Sequence, residues 1–570
     1  MSVALAGPSR LRSNPSISRV LKQSCSCQRY RPFSTTSNLS ARPRPLKLAI
    51  IGAGPSGFYA ASRILSLLPP DSERGKDVQV HMYERLPTPY GLVRYGVAPD
   101  HPEVKNCQHK FDELSDDHRF TYLGNTAIGS QASSDPLQES PATTLSRYTY
   151  PHALHLPLSD ILPHYTSVLF TYGASLSQPL SDVPGSSSSS STTGHLEGVY
   201  PALAFVSWYN GHPAFSHLSP DLSKVQDVTV IGHGNVALDV ARILLKPVQS
   251  LDKTDMPQSV LDVLEKSKVR TVTVVGRRGP AQVSFTTKEF REMLHLPRVE
   301  YKGIDGVLAQ QATKMVKGDR MRTRLLGLMS GSSNGQGDEG QGQGGKKEFK
   351  LEFLQSPKAF LSESGNGRVE TIEWTKNQLL VPSPQDEQGS PPQSQAESVP
   401  RPQVIARSTG QTSKTKTDLV IESVGYRSEP LGIGEEWNLP FDGIRGRISN
   451  VSGRVVGEDG NAIPGMYAAG WAARGPVGVI ASTMNDAYSL SALILQDHFD
   501  SPSTISNPSA PLGNEPRLDL PEAVQIGLKQ GKVVDLAGWK RIDEAEQKRA
   551  TGGKQREKFT NVQDMLSVLS

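Results

Sequence analysis

The sequence predicts an α/β fold with two dinucleotide-binding units, and three observations lead to this class. A glycine-rich motif follows a short apolar run at residues 48–51, and a second follows the apolar run at 228–231. Each motif opens a segment with the apolar spacing of a helix, which is the strand–turn–helix layout of a Rossmann-like βαβ unit. Apolar runs that end in glycine return at 419–425 and 464–470. We therefore expect the second unit to be inserted into a discontinuous first unit.

The first motif spans residues 52–57 and contains three glycines with separate tasks. Gly52 permits a tight turn, Gly54 lets the backbone approach a pyrophosphate, and Gly57 lets the helix pack closely on the strand. The N–H groups of the first helical turn and the helix dipole would then face the phosphates. Glu84 follows a later apolar run and is placed to accept hydrogen bonds from a ribose hydroxyl. These features predict a dinucleotide site, and the alternative is a βαβ unit without a ligand.

The second motif carries Gly232, Gly234 and Ala237, and its next predicted strand ends just before Arg277 and Arg278. Guanidinium groups pair bidentately with a 2′-phosphate, which an acidic residue at that place would repel. Two arginines here therefore favour NADP over NAD, with arginines solvated in a turn as the alternative. An acidic partner at one motif and a basic partner at the other indicate two cofactors, FAD at the first and NADPH at the second.

Length, composition and cysteine content narrow the class further. The chain has 570 residues, of which 36% are hydrophobic and 21% are charged, so it can build two or three domains with sizeable cores. It has no run of about 18 apolar residues, and we expect no membrane-spanning helix. Its three cysteines are Cys25, Cys27 and Cys107. That set excludes a disulfide framework, a catalytic dithiol and an iron–sulfur cluster held by this chain.

The N-terminal segment has a composition of its own. Residues 1–70 contain no aspartate or glutamate, while basic residues alternate with serine and apolar residues through 1–33. That pattern is typical of a mitochondrial transit peptide, so we predict one over 1–33, with a disordered basic arm as the alternative. Its removal takes away six positive and no negative charges and changes the net charge from +4 to −2. The basic balance of the full chain therefore does not indicate a nucleic-acid partner.

The rest of the chain divides around the second motif. We assign 46–174 and 425–570 to the FAD-binding unit and 175–424 to the NADP-binding unit. Ser-, Gly-, Gln- and Pro-rich stretches near 183–194, 329–347 and 383–417 are predicted to be flexible low-complexity insertions on the surface.

Three further features carry chemistry whose role the residues alone leave open. His101, in a Gly- and Pro-rich loop, is either a proton-handling group or an ordinary surface histidine. Trp471 follows a predicted strand and a glycine, where it could cover one face of a flavin. The basic cluster of Arg320, Arg322 and Arg324 either docks an acidic protein or covers a solvated helix face.

Six stretches of the sequence carry a family resemblance, namely 52–59, 89–106, 208–211, 232–245, 276–280 and 470–480. Together they resemble the adrenodoxin reductase family, mitochondrial ferredoxin–NADP reductases with a glutathione-reductase-like fold. The resemblance runs from about residue 47 to the C-terminus, interrupted by insertions that are similar to those of fungal members. Two positions depart from the family pattern, because Ser56 stands where alanine is usual and His233 stands where glutamine is commoner.

The resemblance implies which residues contact each cofactor. The implied FAD contacts are Gly52, Gly54, Ser56, Gly57, Glu84, Leu92, Ile128, Trp471, Gly478, Val479 and Ile480. The implied NADPH contacts are Gly232, His233, Gly234, Asn235, Val236, Arg277, Arg278, Glu289 and, again, Gly478.

The resemblance also implies an activity and a partner. His101 and Asp239 match a polar pair that handles protons near the flavin, and Arg320, Arg322 and Arg324 would face an acidic [2Fe–2S] ferredoxin. The implied enzyme passes electrons from NADPH through FAD to that ferredoxin, for iron–sulfur cluster or haem synthesis or for mitochondrial cytochromes P450. It would be a monomer of the mitochondrial matrix, with peripheral attachment to the inner membrane left open.

Other activities occur on this kind of fold. A disulfide reductase is excluded because Cys107 is the lone cysteine in the body of the chain. The glutamate synthase small subunit needs N-terminal cysteine clusters, which this sequence lacks. A flavin monooxygenase and a non-catalytic NADPH-binding protein stay open as alternatives, and the second would purify without yellow flavin.

Overall fold

Two mainly parallel sheets form the framework of the protein. The computed structural model describes residues 45–105, 107–129, 150–189, 194–333, 346–380, 404–435, 437–478, 480–500, 512, 517 and 519–570. All of them belong to one compact unit, Arg44–Ser570. The predicted transit peptide over 1–33 and one predicted cofactor contact, Val479, lie outside the described residues.

Strands and helices alternate along the chain as far as β12, after which strands follow one another to β22. In chain order they are β1 (Lys47–Ile51), β2 (Gln79–Tyr83), β3 (Phe120–Leu123), β4 (Thr126–Ile128), β5 (Leu154–Leu156), β6 (Ser167–Phe170), β7 (Leu176–Ser177), β8 (Val199–Pro201), β9 (Asp227–Ile231), β10 (Thr271–Val275), β11 (Val299–Tyr301), β12 (Lys347–Glu352), β13 (Gln355–Leu361), β14 (Thr371–Leu380), β15 (Ile405–Lys416), β16 (Leu419–Glu422), β17 (Tyr426–Arg427), β18 (Phe441–Asp442), β19 (Arg447–Ile448), β20 (Asn450–Val451), β21 (Arg454–Val456) and β22 (Ala462–Ala468).

The first motif lies in a seven-stranded sheet with the order β20-β21-β22-β6-β1-β2-β3. The strands from β22 to β3 pair in parallel, while β20, β21 and β22 form an antiparallel edge. β1 is buried along its whole length, as its apolar sequence predicts for a strand covered on both faces. The chain leaves β1 for β2 on one side and later returns to β6 on the other. That reversal creates the switch point at which ligands bind in open α/β sheets.

The second motif lies in a six-stranded, entirely parallel sheet with the order β11-β12-β10-β9-β16-β8. Its switch point falls between β9 and β16. The strands of this sheet come between β6 and β20 in the chain, so the predicted insertion of one unit into the other is confirmed. A buried core of aliphatic and aromatic side chains joins the sheet to its helices.

Helices cover both sheets. They are Pro55–Leu67, Leu92–Tyr95, Pro102–Lys105, Cys107–Asp112, Leu158–Ile161, Ala202–Tyr209, Asn235–Leu245, Gln258–Glu265, Thr287–Leu294, Gly306–Met315, Arg320–Ser330, Trp471–Arg474, Ile480–Asp500, Glu522–Lys529, Leu536–Arg549 and Val562–Ser567. Pro55–Leu67 packs against Ile480–Asp500 in the core of the first sheet. Within the described ranges, no helix combines the length and apolar character needed to cross a bilayer.

A three-stranded antiparallel sheet, β13-β14-β15, extends from the second unit. The predicted insertion over 383–417 is wrong for residues 405–416, because they form β15. The sequence of β15 is polar and its side chains are mostly exposed, so nothing in it resembles a buried strand. Its backbone pairs with β14, whose Ile372 and Trp374 are buried, and this pairing makes it a strand.

The other two predicted insertions are also wrong in part. The insertion over 329–347 starts too early, because a helix continues to Ser330. Within 183–194, Ser187 is buried, and its N–H and hydroxyl both donate to the carboxylate of Glu422 at the end of β16. A buried carboxylate requires donors, and serine supplies them in little volume. Ser187 is therefore a buried hydrogen-bond donor to Glu422 and not part of a flexible surface.

The C-terminal segment packs on the first unit and reaches the second. Its helices are Leu536–Arg549 and Val562–Ser567, and Ile542 on the first of them lies in the core of the seven-stranded sheet. Between the two helices, the buried ammonium group of Lys558 lies 2.9 Å from a carboxylate oxygen of Asp255. Since Asp255 belongs to the inserted unit, this tail connects the two sheets.

Candidate active site

One cleft of about 1420 Å³ is lined by both glycine-rich turns. Gly52 and Gly54 border it from the first turn, and Gly232 and Gly234 border it from the second. It lies at the carboxyl ends of β1 and β9, where both sheets have their switch points. Its volume exceeds the roughly 300–1,000 Å³ of a typical small-ligand pocket, so it has room for two dinucleotides.

The first turn has the shape that a pyrophosphate requires. Gly52 has a φ of +106°, and a Cβ there would lie 2.5 Å from the Cα of Tyr172, so only glycine fits. A Cβ on Gly57 would lie 2.5 Å from the carbonyl oxygen of Gly52, which explains the close packing of helix on strand. By contrast, a Cβ on Gly54 would meet nothing within 4 Å. The space beside Gly54 is therefore open to a ligand, and Gly54 caps the helix whose N–H groups point there.

Two polar side chains complete this half of the cleft. The carboxylate of Glu84, just after β2, accepts hydrogen bonds from the N–H groups of Ala53 (2.9 Å) and Leu86 (3.2 Å). Burial raises the pKa of Glu84, and these two donors oppose that rise. The hydroxyl of Ser56 is buried beside the helix N-terminus and has no hydrogen-bond partner among the described residues. An orphaned hydroxyl, an open glycine and an anchored carboxylate fit the pyrophosphate and ribose of FAD.

The second turn contains a histidine, His233, whose side chain packs against the protein. The ring of His233 packs 4.6 Å from the ring of Phe353, and its Nε2 lies 3.3 Å from the carbonyl oxygen of Val274. Burial lowers the pKa of His233 to about 4, so the ring is neutral at physiological pH. Its side chain therefore supports the turn. Gly234 again has nothing within 4 Å of a built Cβ, which leaves room for phosphate at the helix Asn235–Leu245.

Arg277 and Arg278 lie exposed at the end of β10, on the rim of the cleft. In the described part of the chain, no carboxylate forms an ion pair with either guanidinium group. The pKa of Arg278 is lowered, chiefly by burial and to a smaller extent by the neighbouring charges of Arg277 and Arg322. Three positive charges thus lie close together here, and of the three only Arg322 has a carboxylate partner among the described residues, Asp319 at 3.7 Å. That arrangement fits a doubly charged phosphate such as the 2′-phosphate of NADPH.

The cleft also contains a cluster of titratable groups on its floor. Ligand atoms of His101, Asp239 and Glu289 all lie within 4.8 Å of one another. His101 is only 8% exposed, and its Nε2 lies 3.0 Å from a carboxylate oxygen of Glu292. The alternative that His101 is an ordinary surface histidine is therefore wrong. Burial raises the pKa of Asp239 to about 6, against the lowering effect of Arg242.

The sequence analysis missed the residue that connects this cluster. The guanidinium group of Arg242 donates to Asp100 (2.9 Å), to Asp239 (2.7 Å) and to Glu289 (3.3 Å), and it is 2% exposed. A signal was present, since Arg242 follows Asp239 by three positions on a helix whose neighbouring residues are apolar. A charged residue on such a buried face requires a partner.

The other residues singled out from the sequence fall into three places. The remaining ones that line the cleft are Leu92, Ile128, Asn235, Val236, Trp471, Gly478 and Ile480. Gly57 lies beneath the turn, where it serves helix packing. Arg320, Arg322 and Arg324 lie outside the cleft and are exposed on the helix Arg320–Ser330.

Named proteins resemble the chain over nearly all of its length. It is 36% identical over 540 residues to "NADPH:adrenodoxin oxidoreductase, mitochondrial" from Salvelinus fontinalis, which covers 94% of this chain and 92% of that protein. The Homo sapiens protein of the same name is 34% identical over 536 residues, covering 93% of this chain and 94% of that protein. The chain belongs to the NADPH:adrenodoxin oxidoreductase family. The family predicted from the motifs is therefore confirmed.

Solved structures of this family agree with the fold. "Mycobacterium tuberculosis FprA in complex with NADPH" has a TM-score of 0.68 and 31% identity, covering 92% of this chain and 99% of that chain. A histidine-to-glutamine mutant of FprA gives a TM-score of 0.70 over the same shares. No protein-family model matches the chain. The predicted class, an α/β protein with two Rossmann-like units, is confirmed.

Proposed function

We propose that this NADPH:adrenodoxin oxidoreductase family member passes electrons from NADPH through FAD to an acidic [2Fe–2S] ferredoxin of the adrenodoxin type. The observation that carries the proposal is one cleft with two phosphate-binding turns. The first turn has an anchored carboxylate beside it, and the second has two arginines without a carboxylate partner in the described chain. A cleft of this kind holds two different dinucleotides next to each other.

The residues of the chain bind and orient the cofactors. FAD, when bound, supplies the conversion between the two-electron chemistry of NADPH and the one-electron chemistry of an iron–sulfur protein. Gly54 and Ser56 would hold its pyrophosphate, and Glu84 would accept hydrogen bonds from its ribose. Arg277 and Arg278 would hold the 2′-phosphate of NADPH. Fixing both partners in one cleft replaces a bimolecular encounter by a positioned one.

The titratable cluster on the floor of the cleft supplies proton handling. With a pKa raised to about 6 by burial, Asp239 exchanges a proton close to neutral pH, which suits a general acid or base. His101 lies beside it, with its Nε2 3.8 Å from a carboxylate oxygen of Glu289 and 3.0 Å from one of Glu292. These groups line the same cleft as Trp471 and Gly478.

The helix Arg320–Ser330 is the proposed docking element for the ferredoxin. Arg320, Arg322 and Arg324 are exposed, and in the described chain neither Arg320 nor Arg324 forms an ion pair. An unneutralised basic surface attracts an acidic partner and steers its approach. The same surface lies next to Arg278, whose pKa responds to Arg322, so docking would occur beside the NADPH site.

We further propose that the mature enzyme works in the mitochondrial matrix, after removal of a presequence over 1–33. The composition of that segment and the mitochondrial names of the relatives support this location. Activity as a monomer, peripheral attachment to the inner membrane, and supply of electrons to iron–sulfur cluster or haem synthesis or to cytochromes P450 belong to the same proposal.

The decisive experiment uses the protein purified without its first 33 residues. Its visible spectrum is expected to show bound flavin, and it is expected to reduce an adrenodoxin-type [2Fe–2S] ferredoxin with NADPH. A correctly folded but colourless protein that does not take up added FAD would overturn the proposal. A yellow protein that consumes oxygen in preference to reducing ferredoxin would favour the monooxygenase alternative.

A further inference from the structure

The guanidinium group of Arg242 is the centre of a buried ionic network beneath the cleft. Its Nε and Nη2 atoms donate to the two carboxylate oxygens of Asp100, at 2.9 and 3.2 Å. Nη2 also donates to Asp239 at 2.7 Å, and Nη1 donates to Glu289 at 3.3 Å. A carboxylate oxygen of Glu292 lies 3.6 Å from Nη1. One side chain therefore contacts four carboxylates.

These carboxylates come from three separate parts of the fold. Asp100 lies in the loop of the first unit, immediately before His101, while Asp239 lies one turn before Arg242 on the helix Asn235–Leu245. Glu289 lies on the helix Thr287–Leu294. The two helices already pack against each other, while Asp100 belongs to the other unit. The guanidinium fork connects all three at once.

We propose that Arg242 is the positioning residue of this site: it fixes His101, Asp239 and Glu289 relative to one another and keeps Asp239 ionised at neutral pH. The inference rests on the proposed function, in which His101 and Asp239 handle protons. Arg242 itself does not line the cleft, so it acts through its partners.

The number and direction of the hydrogen bonds support a positioning role. A guanidinium group has five N–H donors, and four of them are used here. Two donate to Asp100, one donates to Asp239 and one donates to Glu289. A lysine has a compact charge and cannot form this planar fork. Holding Asp100 from both oxygens also fixes the backbone of the next residue, His101.

The charges around Asp239 support the proposal that Arg242 keeps this carboxyl group ionised at neutral pH. The titratable or charged groups that face Asp239 are His101, Tyr209, Arg242, Glu289 and Tyr426. Arg242 is the permanent cation among them, and Lys246 forms its ion pair with Asp100. Burial raises the pKa of Asp239 to about 6 even with Arg242 present. Without Arg242, His101 would be the group left to oppose burial and Glu289, and Asp239 would stay protonated at pH 7.

The test compares Arg242→Gln and Arg242→Lys with Arg119→Gln in the purified holoprotein. Arg119 is a matched control because it is also buried and also donates to a carboxylate, that of Asp117, but lies away from the cleft. The first readout is the infrared band of protonated carboxylic acids as a function of pH. We expect the Gln variant, and not the Arg119 control, to retain one additional protonated acid at pH 7. Adding Asp239→Asn to the Gln variant should remove that band.

The second readout is the pH profile of NADPH–ferricyanide activity. In the Gln variant we expect the midpoint of the profile to rise by at least about one pH unit. The rate constant kcat should fall about tenfold or more, while KM for NADPH changes less than about threefold. The Lys variant should recover the midpoint but not the full rate, because it restores the charge without the fork.

An Arg242→Gln protein with the wild-type pH midpoint and no additional protonated acid would overturn the inference, as would the same shift in Arg119→Gln. If wild-type protein fails to reduce ferredoxin while the infrared band still appears in the Gln variant, the proposed function fails and the control of Asp239 by Arg242 stands.

Discussion

Arg277 and Arg278 present two positive charges that no described carboxylate neutralises. Placing like charges side by side is unfavourable in the free protein, and Arg322 adds a third nearby. A dianionic 2′-phosphate relieves this repulsion, whereas the ribose hydroxyl of NADH does not. Selectivity for NADPH is therefore expected to come from these two guanidinium groups.

Replacing Arg277 and Arg278 together by alanine tests that expectation. Two charge-assisted contacts to phosphate are lost, each worth about 1.5–3 kcal/mol, so KM for NADPH should rise about a hundredfold or more. KM for NADH should change less than about threefold, since NADH has no group there. Steady-state kinetics with both cofactors makes the comparison, and equal rises for NADH and NADPH would contradict the assignment.

Single residues also show where sequence reasoning stops. The motifs identified Glu84, Arg277 and Arg278 because each follows a strand whose end lies at the cleft. His101 stayed ambiguous, because its burial depends on Glu289 and Glu292, which are distant in the chain. Arg242 was missed for the same reason: its bond to Asp100 spans 142 positions, and no local pattern encodes such a contact.

At the scale of elements, the second glycine-rich turn contains one glycine that the fold requires and another that leaves space for a ligand. Gly232 has a φ of +124°, and a Cβ there would overlap the carbonyl oxygen of Ser423. Gly234 has an ordinary φ of −101°, and a Cβ there would point into open space. Gly232 is therefore required by the backbone conformation, whereas Gly234 is required by the ligand that enters the cleft.

Two alanine substitutions in this turn should have opposite consequences. Gly232→Ala should lower the free energy of unfolding by about 3 kcal/mol or more, because it adds backbone strain and a steric overlap. Gly234→Ala should change it by less than about 1 kcal/mol, yet weaken NADPH binding at least about tenfold. Denaturant unfolding and cofactor titration measure the two effects. A Gly234→Ala protein with normal NADPH affinity would show that phosphate does not approach this turn.

The helix Arg320–Ser330 makes a prediction of its own as a docking element. Changing Arg320, Arg322 and Arg324 to glutamate should reduce ferredoxin reduction about a hundredfold or more at low salt, because attraction becomes repulsion. At saturating NADPH, the NADPH–ferricyanide rate should fall less than about threefold, since ferricyanide needs no docking surface. KM for NADPH should rise, because Arg322 lies close to Arg278.

A matched charge reversal controls for general electrostatics in the docking test. Lys376, Arg407 and Lys416 are exposed basic residues on the sheet β13-β14-β15. Their change to glutamate alters the net charge equally and should leave ferredoxin reduction nearly unchanged. Equal losses in both triple variants would mean that net charge matters and that the helix is not the docking site.

The strands of the parallel sheets were predictable from the sequence, whereas β15 and the loop that contains Ser187 were not. β1 and β9 stand out because apolar strands covered on both faces precede glycine-rich turns. β15 does not, because its polar sequence becomes a strand only by pairing with β14. Ser187 was predicted to lie in a flexible insertion, because the carboxylate to which it donates lies 235 positions away.

For the molecule as a whole, a buried cluster in the C-terminal tail connects the two units. The ammonium groups of Lys105 and Lys558 lie 2.7 and 2.9 Å from the carboxylate of Asp255. Lys558 also donates to the backbone carbonyl oxygens of Arg94 (3.1 Å) and Asn210 (3.0 Å). Burial alone would raise the pKa of Asp255, but the two lysines hold it well below its usual range. Two cations share one anion here, so the cluster is one negative charge short.

That imbalance makes stability depend on pH in a definite direction. Burial lowers the pKa of Lys558 from 10.5 to about 7, so between these values the unfolded chain binds a proton that the folded protein does not. The free energy of unfolding should therefore rise as the pH increases through this window. Lys558→Met should reduce the rise without abolishing it, because burial also lowers the pKa values of Lys47, Lys105 and Lys347. Denaturant unfolding at several pH values measures both slopes, and a flat wild-type profile would contradict this account of Lys558.

Removal of the shared anion should be far more damaging than removal of one cation. Asp255→Asn leaves Lys105 and Lys558 facing each other without a counterion, and we expect a loss of about 3–5 kcal/mol at pH 7. Lys558→Met leaves a balanced Lys105–Asp255 pair and should cost less, limited to the two carbonyl oxygens of Arg94 and Asn210 that lose their donor. Because the cluster joins both units, the two units of the Asp255→Asn protein should also unfold in more clearly separate transitions. If Lys558→Met is as unstable as Asp255→Asn, packing and not charge governs this junction.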